Sequence, residues 1–381
     1  MSIKILIGAD ICPTQTNFDL FAQADVDLLL GQRLSARLHE ADYTIFNLET
    51  PLTDTLSPIA KNGPCLAALT AAIAGIKAIN PHFFTLANNH ILDQGPQSLQ
   101  NTVALLKQAG ISYSGVGKNL AQARKPYIAH IKGVKLGIYC CAESEFSIAT
   151  DTTPGVNPYD PLTSFDAVRE LKAQCDLVIV LYHGGKEHYR YPSPQVQRVF
   201  HKFVACGADV VIAQHTHCIG CEEKYKGATL VYGQGNFLFD HSDSEYWKTN
   251  LLVALDIDEN SKSLAVNYIP CVKQGNGVRL AEGAQAQQIL ADFKERSQQI
   301  QQEGFVEKNY QNFADRLLNN YLQNCAGWLG RNLAVRILNK LSGYRLFTWL
   351  CTQKDLLRIQ NLLECEAHRE IFLQSVKGKS K

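Results

Sequence analysis

The side chains of this sequence that could hold a metal ion or move a proton each follow a short apolar run. Ile-Leu-Ile-Gly-Ala leads to Asp10, Thr-Ile-Phe-Asn-Leu to Glu49, and Phe-Phe-Thr-Leu-Ala to Asn88, Asn89 and His90. Leu-Val-Ile-Val-Leu-Tyr leads to His183, Val-Val-Ile-Ala-Gln to His215 and His217, and Leu-Val-Tyr-Gly-Gln-Gly to Asn236. One Asp or Asn after a strand commonly caps the next helix, and one His is commonly a hydrogen-bonded core residue. Six strand ends in succession, each closing on Asp, Glu, Asn or His, point instead to a shared crevice, because side chains at the carboxyl ends of neighbouring parallel strands converge. Two carboxylates, an amide oxygen and three imidazoles suit Mn²⁺, Fe or Zn²⁺, and are too rich in imidazole for Ca²⁺ or Mg²⁺ alone.

The elements that must position these residues are legible as alternation. Up to about residue 270, β-branched and aromatic runs alternate with helix-period segments such as 21–40, 66–79, 97–109, 163–174 and 194–206, the pattern of βαβ units around a largely parallel core. Beyond about residue 280 the β-rich runs stop, and Gln, Asn, Leu and basic residues follow with helical spacing. The chain therefore divides into a domain over 1–280 and a helical appendage over 281–381.

With 381 residues, 46% hydrophobic and 37 basic against 36 acidic side chains, the composition is that of an ordinary globular chain. Nothing in it advertises nucleic acid as a partner. The opening Met-Ser-Ile-Lys-Ile-Leu-Ile-Gly reads as a buried strand and not as a signal peptide. No run approaches the ~18 apolar residues of a membrane span, and the 12 cysteines are scattered, which suits free thiols in a cytoplasmic setting.

Taken in order, Gly-Ala-Asp at 8–10, Asn-Leu-Glu at 47–49, Leu-Ala-Asn-Asn-His at 86–90 with Asp93 and Gly95, His-Gly-Gly-Lys-Glu at 183–187, Gly-Ala-Asp with His-Thr-His at 207–217, and Tyr-Gly-Gln-Gly-Asn-Phe at 232–237 form a specific set. Over roughly residues 3–270 the sequence resembles the CapA-like, poly-γ-glutamate capsule-biosynthesis branch of the calcineurin-like metallophosphoesterase superfamily. The resemblance implies a layered αββα sandwich with the appendage at its C-terminal side, and one or two divalent ions. Glu49 would stand at the bridging-carboxylate position, Asp10 and His217 would serve one metal, and Asn89, His183 and His215 the other. Cys12 stands where the superfamily usually offers a histidine, and is read as a small buried thiol.

His90 resembles the histidine that protonates the leaving oxygen, a role suited to imidazole. Asp93 either accepts the second N–H of His90 or caps the helix beginning near Gly95, with the cap preferred. Asn88, Lys186, Glu187, Arg190 and Asn236 are candidates for contacting an anionic phosphorylated or carboxylated, polymer-related substrate, with Tyr191, Glu143 and Glu145 nearby. Cys218 and Cys221 form a C-x-x-C without the second half of a zinc or redox motif, and read as packing thiols.

The implied activity is metal-dependent hydrolysis of a phosphoester or related bond in capsule or envelope-polymer synthesis. The competing expectation is a non-catalytic polymer-binding or assembly component of a membrane synthase. From Cys325 onward ten basic and four acidic residues accompany Trp328, Tyr344, Phe347 and Trp349. This segment is expected to be a packed helical face, with peripheral contact to a membrane or synthase as the alternative.

Overall fold

The structure, a computed structural model, describes residues 2–240 and 244–379. Two compact units divide the chain, one running to Val306 and the other from Glu307 to the C-terminus. In chain order the strands begin with β1 (Ser2–Cys12), β2 (Tyr43–Leu48), β3 (Phe83–Thr85), β4 (Ser112–Ser114) and β5 (Val116–Gly117). Next come β6 (Tyr127–Ile131), β7 (Val134–Ala142), β8 (Gly155–Val156), β9 (Leu177–His183) and β10 (Val210–Gln214). The remainder are β11 (Glu222–Tyr225), β12 (Ala228–Val231), β13 (Asn236–Phe239), β14 (Thr249–Asp258), β15 (Leu264–Gln274) and β16 (Gly277–Leu280).

They form two principal sheets. The first runs β16-β15-β14-β1-β2-β3-β4, with β13 also paired to β1; the second runs β11-β12-β10-β9-β7-β6. Strands β1 to β4 and strands β7, β9, β10 and β12 pair in parallel, whereas β14 to β16, β6 and β11 join antiparallel at the flanks. The expected parallel core is thus two cores facing each other.

The layering follows from side-chain alternation. In the second sheet Ile138, Cys140, Ile179, Leu181, Val210 and Ile212 share one apolar core with Ile5, Ile7, Ile45 and Phe83 of the first. Their neighbours Tyr139, Cys141, Val178, Val180, Val211 and Ala213 point the other way, onto Val168, Leu171, Val199, Phe200 and Phe203 of the helices Ser164–Lys172 and Pro194–Ala205. A strand covered on both faces has no solvent side, so it reads as a continuous apolar run. On the first sheet, Leu34, Leu38, Ile76, Leu99 and Leu106 supply the outer helical layer. The layered αββα arrangement with a helical C-terminal region is the fold of this chain.

Local chemistry explains where helices differ from expectation. The single helix expected over 21–40 is three pieces, Phe18–Ala22, Val26–Leu29 and Gly31–His39. Ala24 and Gly31 interrupt it with φ of 54° and 69°, and the Asp25 carboxylate accepts from the Leu28 N–H to start a new turn. The helix expected over 66–79 shrinks to Ile73–Ala78 behind a 3₁₀ turn, Thr70–Ala72. In contrast, Pro194–Ala205 has the start and stop its sequence advertises: Ser193 accepts from the Val196 N–H, and Gly207 takes φ 106° just past the end.

Residue 280 marks the last strand, but the first unit continues through the helix Gly283–Gln299 to Val306. Phe293 packs against Tyr268 with tilted rings, Ser297 Oγ accepts from the Glu222 N–H, and Arg296 donates to the Gly220 carbonyl, which binds this helix to the sandwich. The described part of the second unit is a series of helices joined by short turns, and after the long helix Phe305–Cys325 its segments are 328–331, 333–341, 346–350, 353–364 and 366–379. Of the four aromatics expected to pack, only Phe347 is buried; Trp328, Tyr344 and Trp349 are exposed. No helix among the described residues is long and apolar enough to cross a membrane.

The junction beside Asp10 is packed without spare volume. A Cβ on Gly8 would lie 2.2 Å from the Phe46 ring, which is itself fully buried. Gly8→Ala is therefore expected to cost about 1–3 kcal/mol by overpacking, measured as a lower urea midpoint, and wild-type stability in that variant would contradict this packing.

Candidate metal centre

The carboxyl ends of the parallel strands of the two facing sheets lie together, and each sheet contributes three positions. From the first come Asp10 inside β1, Glu49 just after β2 and Asn89 after β3; from the second come His183 at the end of β9 and His215 and His217 after β10. Register sets their depth. Asp10 lies between Asn47 of β2 and Asn236 of β13, and His183 lies between Gln214 of β10 and Ala142 of β7. The sheets are tied across this end, because Gln214 Nε2 donates to the Gly8 carbonyl and Gln234 Nε2 to those of Ile7 and Leu251.

All six side chains are buried, Asp10 and Glu49 completely. Their ligand atoms cluster in two groups that share Glu49, namely Asp10, Glu49 and His183, and Glu49, His215 and His217, each within 4.8 Å. Glu49 is the carboxylate common to both groups, with His183 beside Asp10 in one and His215 beside His217 in the other. One compact pocket holds all of them: His217 Nδ1 is still 3.8 Å from Asp10 Oδ2, and the rings of His183 and His215 are 4.9 Å apart.

The donor set fits a cation on physical grounds. Neither carboxylate oxygen of Glu49 has a hydrogen-bond partner, and Asp10 Oδ2 and His215 Nδ1 also lack one. A buried polar atom without a partner costs free energy, and a buried charge costs far more. Burial pushes the carboxyl groups of Asp10 and Glu49 up to about 7, with Glu49 adding to the effect on Asp10. It also lowers His183 to about 4 and holds His215 well below the usual imidazole range. At mildly acidic pH, with no cation to favour ionisation, these shifts make Asp10 and Glu49 neutral acids beside the neutral imidazoles of His183 and His215. For folding these shifts oppose each other. The raised carboxyl values remove stability as pH rises from about 4 to about 7, whereas the depressed imidazole values add it from about 4 to 6.5.

Neighbours aim the ligands. His217 Nδ1 lies 2.8 Å from Asn236 Oδ1, leaving Nε2 for a ligand. Asn89 Oδ1 is 3.1 Å from His183 Nε2, which also approaches Glu49 Oε1 at 3.4 Å. Asn47 Nδ2 donates to Asp10 Oδ1 at 2.8 Å. Asn47 is two residues before Glu49 on one strand, and that period-2 spacing is the signal that could have assigned it. His215 and His217 have φ of 89° and 53°, in the left-handed region that non-glycine residues adopt uncommonly. Cys12 is a buried neutral thiol, raised well above its usual range by burial, and belongs to neither cluster. Cys218 and Cys221 are likewise free and buried, as packing thiols should be.

His90 lies beside the pocket with Nδ1 at 2.6 Å from Asp93 Oδ2. Asp93 was expected to cap the following helix, but that helix starts after Gln94 with no side-chain cap. The Asp93 carboxylate is spent on His90, the Leu66 N–H and the Lys61 ammonium, at 2.6, 2.7 and 2.7 Å. Asn88, expected to contact substrate, instead braces the turn: Nδ2 donates to Asn47 Oδ1 and the Leu48 carbonyl, and Oδ1 accepts from the His90 and Ile91 N–H groups. At the rim Lys186 and Glu187 are exposed, with Glu187 Oε1 at 3.9 Å from His215 Nε2. Arg190 donates to the Ile219 carbonyl and covers the Tyr246 ring at 4.8 Å. Glu143 closes the turn after His183 by accepting from Tyr182 and from the Gly185 N–H. Tyr191 turns away to Gln299, and Glu145 is exposed.

Sequence reasoning missed four further contributors. Trp247 stacks on His217 at 4.8 Å and donates to His188 Nε2, and His188 stacks on Tyr246. Lys61 lies in an irregular loop with no periodic signal, yet its side chain is only 2% exposed and pairs with Asp93. Removing one member of a buried ion pair strands the other, so Lys61→Met is expected to lower unfolding free energy by about 3–5 kcal/mol. The Lys61→Met/Asp93→Asn double variant should recover part of that loss in urea denaturation; full additivity would contradict the pairing.

The six ligand-type residues all lie within residues 7–241, which match the family model described as "Bacterial capsule synthesis protein PGA_cap". The "Capsule biosynthesis protein CapA" of Bacillus anthracis is 28% identical over 242 residues, covering 61% of this chain and 59% of that protein. The "PGA biosynthesis protein CapA" of Bacillus subtilis (strain 168) is 29% identical over 205 residues, covering 52% and 54% respectively. A "Probable polyglutamine synthesis accessory protein" of Mycobacterium tuberculosis is 30% identical over 213 residues, covering 52% and 56%. The match to these curated relatives thus spans between half and three fifths of their length. Among solved structures, a 5′-nucleotidase precursor from Thermus thermophilus is similar with 16% identity and a TM-score of 0.42, covering 77% of this chain and 59% of that one. Since the family model takes in well over half of the chain, from β1 through both sheets to β13, this protein belongs to the bacterial capsule synthesis family of CapA-like proteins.

Proposed function

We propose that the chain is a metal-dependent, phosphoesterase-like hydrolase acting in the biosynthesis of a capsule or cell-envelope polymer, either poly-γ-glutamate or a polysaccharide. The observation that carries this reading is the pair of buried carboxyl groups, Asp10 and Glu49, with three oxygens lacking a hydrogen-bond partner and three imidazoles around them. Asp10, Glu49, Asn89, His183, His215 and His217 would hold one or two ions of Mn, Fe or Zn. Such an ion, when bound, supplies Lewis-acid polarisation of a phosphoryl oxygen and acidifies water. As general acid His90 would be the imidazolium, giving its Nε2 proton to the leaving oxygen, while Asp93, itself held by Lys61, accepts from Nδ1–H and orients the ring. Lys186 is exposed on the turn after His183, where a phosphate or carboxylate of the substrate can meet it. The twelve cysteines are all unpaired, which supports a reducing, cytoplasmic location.

A second reading, a polymer-binding assembly component, is favoured by one observation: the mycobacterial relative is described as an accessory protein. The two separate on activity. Purified protein should contain divalent metal and hydrolyse an aryl phosphate with added Mn²⁺. Loaded metal without hydrolysis, together with retained poly-γ-glutamate binding, would favour the assembly role.

Two further outcomes follow. His215→Ala should lower metal content and turnover together, whereas His90→Ala should keep the metal and lower turnover by about 10²–10⁴-fold; equal metal loss in both would remove His90 as the acid. Metal binding should also release protons. At pH 6 Asp10 and Glu49 are mostly protonated and His183 is already neutral, so loading should expel about two protons. Titration calorimetry in buffers of different ionisation enthalpy reads this number directly, and it should fall toward zero by pH 8. No release at pH 6 would contradict carboxylate ligation.

A further inference from the structure

The C-terminal unit is built inside out. In the helix Leu333–Leu341 the buried position is a polar one, Asn339, 2% exposed. Its Nδ2 donates to Gln323 Oε1, and its Oδ1 accepts from Asn319 Nδ2 and the Leu346 N–H. Asn319 Oδ1 in turn accepts from the N–H groups of Phe347 and Thr348. This amide network joins 305–325, 333–341 and 346–350, so it fixes which side of the middle helix faces inward.

The apolar side is left outward. At ~100° per residue Leu333, Ile337, Leu341 and Leu338 share an arc about 140° wide, and they are 70%, 52%, 78% and 55% exposed. Trp328 and Trp349, in the neighbouring helices, are each 67% exposed. A surface helix ordinarily turns such a stripe to the core, so its exposure marks an interaction surface. The charges around it are of one sign. From Arg316 to Lys354 the sequence holds six basic residues and no acidic one, and Arg331, Arg336, Lys340 and Arg345 are all exposed.

We infer that this face, centred on Leu333, Ile337, Leu341, Trp328 and Trp349 and edged by Arg336 and Lys340, seats the protein peripherally on an anionic lipid surface. Charge selects the occupant. A second copy of the same face would set Arg336 and Lys340 against themselves, with no acidic residue between 316 and 354 to pair them. A soluble polyanion would satisfy the arginines and lysines and leave the leucines and tryptophans in water. An anionic bilayer takes both: the apolar arc enters the acyl boundary, the tryptophans sit at headgroup level, and the basic side chains reach the phosphates. The helices are too short to span, so the attachment lies in the interface plane.

The test is co-sedimentation of the full-length protein with vesicles of phosphatidylglycerol and phosphatidylcholine, against phosphatidylcholine alone. Binding should require phosphatidylglycerol and weaken when salt is raised from about 0.05 to 0.5 M. Ile337→Asp/Leu341→Asp should reduce it by about tenfold or more. Arg336→Glu/Lys340→Glu, which alters only exposed charges, should reduce it by a similar factor. Wild-type-like binding by both variants would overturn the proposal, as would salt-independent binding to neutral vesicles or no vesicle binding at all. A concentration-dependent dimer without lipid that Ile337→Asp/Leu341→Asp abolishes, with no vesicle binding, would reassign the face to a second copy. Binding of soluble poly-γ-glutamate that survives the apolar variant, again without vesicle binding, would reassign it to the polymer.

Discussion

Two carboxyl groups buried side by side at the junction of two sheets are the constraint to which the rest of the first unit answers. Asp10 and Glu49 are closed off from water, and three of their four oxygens have no hydrogen-bond partner. Ionised and alone, each would cost several kcal/mol. The sandwich accommodates them by holding them near neutrality in the metal-free pocket and by facing them with imidazoles from the opposite sheet. A cation is the group that would let both ionise without leaving water-starved charge behind. Much of the surrounding order serves that geometry: Gln214 and Gln234 tie the sheet ends together, Asn47 and Asn236 each brace one ligand, and His215 and His217 sit in backbone conformations that only a rigid surround sustains.

Rigidity of this kind comes from the layers. A one-residue slip of β1 against β2 would carry Asp10 to the other face of the sheet. The continuous apolar strands of the second sheet forbid the equivalent slip around His183, because both faces are already packed. Gly8 shows how little room remains at this point, where even a methyl group meets the Phe46 ring. The ligands therefore sit where register places them, and their positions need little help from loops. The residues that surround those ligands are different in origin. Lys61, His188, Tyr246 and Trp247 arrive on irregular segments and complete the pocket from outside the sheets.

That division explains what the sequence made legible. Asp10, Glu49, His183, His215 and His217 could be found because each closes a recognisable strand, and strand ends have only one crevice in which to meet. The partition into two sheets was not written in any local pattern, since a parallel strand buried on both faces looks the same in either sheet. The break of 21–40 into three helices depends on Ala24 adopting a positive φ, which no alanine advertises. Asp93 was ambiguous because capping and orienting a histidine ask for the same residue; Lys61, distant in sequence, decides between them. The tail misled for a related reason. Its aromatic residues have the spacing of a packed face, but the amide network of Asn319, Gln323 and Asn339 takes the interior and turns that face outward.

The choice between hydrolase and assembly component can be argued from the same buried acids. A surface that binds polymer needs exposed charge, and this chain has it in Lys186 at the rim and in the basic residues of its second unit. Neither feature requires Asp10 and Glu49 to be sealed among imidazoles, nor His90 to be held by Asp93 and Lys61 in one tautomer. Replacing the buried acids with apolar side chains of similar volume would remove their desolvation cost and leave a scaffold at least as stable. A pocket that bears that cost, with His90 hydrogen-bonded to Asp93 beside it, supports the proposed hydrolase over the assembly role.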